Sequence, residues 1–166
     1  MIKKPISILL IFFISFFSFA NVTVIGITIN EDRKEDVLKK YNAVEDNNGN
    51  FILNPSEVPI EGVRSAGVGF DKKSGVVKYL VIGHNNSKYD YFFDLLNKKY
   101  KLVKKTKPSP GARYSEFEKD NVIIILNSNY ESENMLIAYV DKKIKMEDDE
   151  DKKKENQRKL KEIDQL

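Results

Sequence analysis

The sequence predicts an α+β fold, short helices packed on an antiparallel sheet, behind an N-terminal export segment. Three observations carry the fold: a glycine-ended hairpin at residues 64–83, two short amphipathic stretches behind capping signals, and turn-bounded strands between residues 101 and 140. The export segment is read first, because it decides where the folded part begins. Lys3 and Lys4 form a basic start, and residues 6–19 are apolar except for Ser7, Ser15 and Ser18. Ser18 and Ala20 are the small residues at −3 and −1 of a signal-peptidase site, so cleavage is expected between Ala20 and Asn21. The alternative is an uncleaved anchor, but residues 6–19 fall short of the roughly 20 needed to span a bilayer. No second apolar stretch of that length follows, so the expected mature form is periplasmic or secreted and does not span a membrane.

Composition narrows the chemistry. The net charge is +3, and removing Lys3 and Lys4 takes it to +1, a weak basis for binding nucleic acid. There is no cysteine. Disulfides, zinc thiolate sites and thiol nucleophiles are therefore excluded. A bacterial lipid anchor is excluded as well, since Asn21 follows the cleavage point.

Along the mature chain, residues 22–29 read as a short strand or extended lead-in. Asp32 and Glu35 have capping-box spacing ahead of Val37, Leu38 and Tyr41, which predicts a helix over 33–41. Residues 45–50 read as a polar turn, 51–53 as a brief apolar run, and 54–62, with Pro55 and Pro59, as a loop. In the hairpin, Ala66, Val68 and Phe70 share one strand face, while Ser65, Gly67 and Gly69 share the other. Its second strand, 76–83, is apolar on both faces and is expected to be central. Ser87 and Asp90 repeat the cap spacing ahead of Phe92, Phe93, Leu95, Leu96 and Tyr100, a wide helical stripe. Strands follow at 101–106, 113–119, 122–127 and 134–140.

Two helices end alike, in Val37-Leu38-Lys39-Lys40-Tyr41 and Leu96-Asn97-Lys98-Lys99-Tyr100. This echo admits two readings: tandem αβββ units at 24–83 and 87–140 sharing one sheet, or a chance outcome of a lysine-rich chain. Gly26-Ile27-Thr28-Ile29 leading into the first helix, and Val68-Gly69-Phe70-Asp71-Lys72-Lys73-Ser74-Gly75-Val76-Val77 after it, carry a family resemblance. The layout resembles small envelope proteins of the BamE (SmpA/OmlA) type and is similar to the tandem helix-plus-sheet β-lactamase-inhibitor-protein family. The resemblance implies a non-catalytic protein that works by protein–protein contact. This chain departs from both families in lacking the lipid-anchoring cysteine of the first and the disulfides of the second.

Catalytic constellations are sparse. His84 is the sole histidine; a Ser/His/Asp triad would need it, with Asp90 or another acid as orienter, and the plainer reading is a solvent-facing strand end. Gly67-Val68-Gly69 lacks the third glycine of a dinucleotide loop, Lys72 standing in its place; the glycines instead suggest a smooth strand face for close approach. Residues 147–151 are all acidic but lack calcium-loop spacing. No catalytic, metal or cofactor site is expected. The clearest surface feature is basic: Lys98, Lys99, Lys101, Lys104, Lys105, Lys107 and Arg113, with no acid between them. It suits lipid headgroups, polyanionic glycans or an acidic protein, or else it blunts a strand edge. The tail 142–166 is charged, with nine basic and nine acidic residues once Asp141 is included, and should be an exposed helix or disordered.

These readings converge on an exported, non-catalytic interaction module of a bacterial envelope, an assembly accessory or an enzyme inhibitor, with another envelope or secreted protein as partner. The competing readings are a small cell-wall or glycan hydrolase using paired carboxylates, and a binder of lipid headgroups or polyanions.

Overall fold

The computed structural model describes residues 21–109, 112–129 and 132–163, with the side chains of 107–109 outside that description. The fold is α+β. A hairpin of β1 (Thr23–Val24) and β2 (Ile27–Thr28) leads into α1 (Lys34–Leu38). Strands β3 (Ala43–Glu45), β4 (Phe51–Leu53), β5 (Ser65–Phe70) and β6 (Val77–Asn85) follow. Helix α2 (Tyr89–Lys99) precedes β7 (Lys101–Ser109), β8 (Ala112–Lys119), β9 (Val122–Asn129) and β10 (Asn134–Asp141), and α3 (Lys142–Ile163) closes the described chain.

Local chemistry explains where these elements depart from expectation. The predicted strand 22–29 folds back on itself because Ile25 and Gly26 both take left-handed backbone, φ +47° and +76°. Two such residues make a tight hairpin turn, which glycine accepts readily and a β-branched residue does not. The Tyr41 hydroxyl holds the Ile25 carbonyl at 2.6 Å, and the Lys40 ammonium holds that of Gly26. The first helix begins one residue later than its spacing suggested. Asp36 accepts the Arg33 N–H at 3.1 Å, while Asp32 takes the Thr28 N–H and pairs with Lys40. Ahead of α2 the capping side chain is Asn85, which accepts the Ser87 N–H and starts a short 3-10 turn (Asn86–Lys88). Asp90 pairs with Arg113 instead.

Eight antiparallel strands form one sheet in the order β3-β4-β5-β6-β10-β9-β8-β7. Each of α1 and α2 is followed by a four-strand meander, and the meanders meet through their last strands, with Ile82 opposite Ile137. Strand side chains alternate between faces. One face carries Phe51, Leu53, Ala66, Val68, Leu80, Ile82, Phe117, Ile124, Leu126, Met135, Ile137 and Tyr139, all buried. Both helices cover this face, α1 through Val37 and α2 through Phe92 and Leu96, in a single continuous core. Burying such side chains contributes about 1.5–3 kcal/mol each, which is how a domain without cross-links holds together.

The tail is helical and leaves the sheet on its other side. Asp141 caps α3 by accepting the N–H groups of Lys143 and Ile144. Lys142 pairs with Glu118 of β8. The first turns thus lie against β8 and β9, leaving Ile123 only 5% exposed. Beyond them every described α3 residue is exposed, and pairs such as Lys152–Asp148 and Lys159–Glu155 support the helix along its length.

Candidate interaction surface

The sheet face turned away from α1 and α2 can be assembled strand by strand from the pairing register. It carries Val44 on β3, Ile52 on β4, Ser65, Gly67 and Gly69 on β5, and Tyr79, Val81, Gly83 and Asn85 on β6. Across the seam come Asn134, Leu136, Ala138 and Val140 on β10, then Ile123, Ile125, Asn127 and Asn129 on β9. None of these is charged, in a chain that is 32% Asp, Glu, Lys and Arg. A solvated sheet face of such a chain would ordinarily carry its share of charge; this one carries apolar residues together with Ser65, Asn85, Asn127, Asn129 and Asn134. Val44 is 70% exposed, Ile52 56% and Leu136 44%. At the rim, Arg64 and Glu133 lie 3.6 Å apart and offset each other.

Two side-chain arrangements make the face smooth. The Tyr79 ring lies over Gly69, where an added Cβ would sit 2.0 Å from the ring. A Cβ at Gly67 would meet only the Phe51 carbonyl, at 3.6 Å, so the strand beside the ring is bare. The result is one aromatic slab with a shallow strip next to it. On β8 and β7 the same face changes character: Glu116 and Glu118 stand opposite Lys104 and Lys101, and α3 covers part of it.

The basic stretch does not form one surface. β7 is the outermost strand, and as in any strand its side chains point alternately to opposite faces, with a register break between Leu102 and Lys104. Lys101 and Lys104 lie on the uncharged face's side, with Lys104 over the Tyr114 ring at 5.7 Å. Lys105 lies on the helix side, 3.7 Å above Phe93, and Lys98 and Lys99 end α2. Arg113 departs from the sequence expectation of an exposed contact. Its side chain is 18% exposed, stacks on Tyr89 at 4.1 Å and pairs with Asp90 at 3.2 Å. The Lys107 side chain and Ala20 lie outside the described residues. Asn21, the first described residue, donates its amide to Glu31, and Val22 is already in the core.

His84 is buried, not solvent-facing. Its Nδ1 accepts the Asn85 N–H at 2.8 Å, so Nε2 carries the proton and donates to the Glu61 carbonyl at 2.8 Å. Both ring nitrogens are therefore engaged with backbone, and Asp90 is turned toward Arg113. The ring forms the floor of a cleft of about 660 Å³ between residues 59–62 and the Tyr91, Phe92 and Leu95 side of α2. Among the described residues, the carboxylates with displaced acidity are displaced downward. Asp36 is lowered by Lys39 and Glu57 by Asn42, while backbone N–H groups lower Asp46 and Asp71, and Lys142 lowers Glu118.

No family model, curated protein or solved structure matches this chain. Among the described residues no helix is long and apolar enough to cross a membrane. The sheet face itself was only partly visible in the sequence. The glycine side of β5 and the two-sided apolar pattern of β6 pointed to it. Which other strands complete it depends on pairings far apart in the chain.

Proposed function

We propose that this chain is an exported, non-catalytic interaction module of a bacterial envelope, acting by protein contact through the uncharged face of its sheet. The observation that carries the reading is the run of six adjacent strands without a charged side chain on one solvent-facing side. Desolvating its exposed apolar side chains, Val44, Ile52 and Leu136 among them, is favourable, and no buried charge must find a partner on binding. The signal-like start of the chain supports the location, and the resemblance to envelope accessory and inhibitor families supports the mode of action. Backbone groups engage both ring nitrogens of His84, which favours contact over triad catalysis.

Capture from the export fraction with the mature chain as bait tests this. The expected result is one stable partner that is lost when Ile52 or Leu136 is changed to lysine and retained when Lys101, Lys104 and Lys105 are changed to glutamine. Capture that ignores the sheet face, or turnover of cell-wall fragments that tracks single acidic residues, overturns the proposal.

A further inference from the structure

Resting on that reading, we infer that the occupant of the uncharged face is a second copy of this chain, packed sheet to sheet about a two-fold axis that runs along the strands near β5 and β6. Three observations point to a copy. The first is electrostatic: charges are what let an interface choose a foreign partner and reject wrong ones. This face has none to offer, yet it can meet its own image with no like-charge clash. The second is size. Six strands about 4.8 Å apart and about five residues of 3.3 Å each cover roughly 500 Å² in projection. Side-chain relief brings the accessible area toward the roughly 800 Å² per partner of a stable complex.

The third is the fit around α3. Packed sheets lie about 10 Å apart, and a helix resting on a sheet occupies a layer of the same thickness. The early turns of α3 stand on β8 and β9, at one side of the open area. Turning one copy over about the stated axis places its short β3 edge beside the other copy's α3, in the same layer. Each α3 then walls one side of the interface, and Ile52 of either copy lies toward Leu136 of the other. In such an isologous arrangement the Tyr79 and Val81 side of β6 meets the bare Gly67 strip of β5, twice.

Sedimentation of the processed chain, starting at Asn21, is the primary measurement. A dimer is expected whose affinity does not weaken as salt rises, because no ion pair holds it. Ile52→Lys should convert it to a monomer with an unchanged circular-dichroism spectrum, since that side chain is already exposed; Leu95→Lys, on the helix side, should leave it dimeric. The chain has no cysteine, so Val81→Cys supplies a single handle. A short bismaleimide should link Val81→Cys dimers and fail to link Leu95→Cys dimers. A chain that stays monomeric up to about 0.1 mM, where a micromolar dimer would be nearly complete, overturns the inference. So does a dimer indifferent to Ile52→Lys. In the monomeric case, a maleimide-linked photoreactive group placed on Val81→Cys, which inserts into any neighbouring C–H or N–H bond on illumination, takes the place of the bismaleimide: its linkage to a protein of the export fraction leaves the interaction reading standing without the second copy, and no linkage at all removes both.

Discussion

At the scale of single residues, Gly69 and Tyr79 form the contact most open to test. The ring occupies the space that any side chain at position 69 would need. Gly69→Ala must therefore push the ring off the sheet, and the lost contact should cost about 1 kcal/mol. In a Tyr79→Ala background the same change meets no ring, and alanine's smaller entropic cost should make it neutral or stabilising by about 0.5 kcal/mol. Urea melts of the four proteins in this cycle measure the coupling, and additive effects would contradict the stacking. The phenol offers an independent readout. Burial raises the Tyr79 pKa above 10.0, with the Asp46 charge adding to it, so a ring displaced into water by Gly69→Ala should titrate closer to 10.0. Deeper in the molecule, burial raises Tyr139, with Tyr100 contributing, and burial raises Tyr114, with the Glu116 carboxylate contributing. A phenol whose folded pKa exceeds its unfolded value holds its proton more tightly when folded. Its contribution is complete below the unfolded value of 10.0 and is lost as pH climbs from there toward the folded value. The urea midpoint should thus fall above pH 10, and Tyr139→Phe should flatten the fall.

At the scale of elements, the two sheet edges are managed differently. β3 has three residues, too short to template another strand. β7 has nine, and it carries register breaks between Leu102 and Lys104 and between Thr106 and Ser109, besides Pro108 and four lysines. Bulges, proline and lysine are the devices that keep a long edge from pairing with another chain. Changing Lys101, Lys104 and Lys105 together to threonine keeps strand propensity and removes the repulsion. The expected outcome is concentration-dependent association with added β signal, read by light scattering and circular dichroism. A triple variant as soluble as the parent would show that the bulges suffice. The same strand shows what a sequence makes visible. Its lysines were legible as a basic run, but their division between two faces depends on a bulge at Val103 that no local pattern announces. Strands β5 through β10 were legible because alternation and turn residues are local, while Phe51–Leu53 was legible only as a brief apolar run. Ala43–Glu45 was not, being three residues of mixed polarity that become a strand only by pairing with Phe51–Leu53. The break at Ile25 was hidden for a related reason: isoleucine argues for extended backbone, and tertiary hydrogen bonds from Tyr41 and Lys40 override that preference.

At the scale of the whole molecule, the order of strands fixes how the fold should come apart. Each helix and the meander after it would expose a half-covered sheet if separated, and small units of that kind bury too little surface to stand alone. Their shared seam is seven residue pairs long, from Asn85 opposite Asn134 to Tyr79 opposite Val140. The buried residues on either side of that seam belong to one cluster. Loss of packing in one half therefore removes the cover of the other, and unfolding should be a single cooperative transition. Two substitutions test this from opposite sides. Leu53→Ala, in β4, and Phe117→Ala, in β8, each open a cavity at a side chain no more than 1% exposed. The expected losses are about 2–5 and 3–5 kcal/mol respectively. Each should lower the same midpoint as followed by circular dichroism and by tyrosine fluorescence, with amide protection falling in β5 and in β9 alike. If Phe117→Ala instead produced a first transition that left β4–β6 protected, the halves would be separate folding units, and the seam between β6 and β10 would be a docking contact rather than the centre of one sheet.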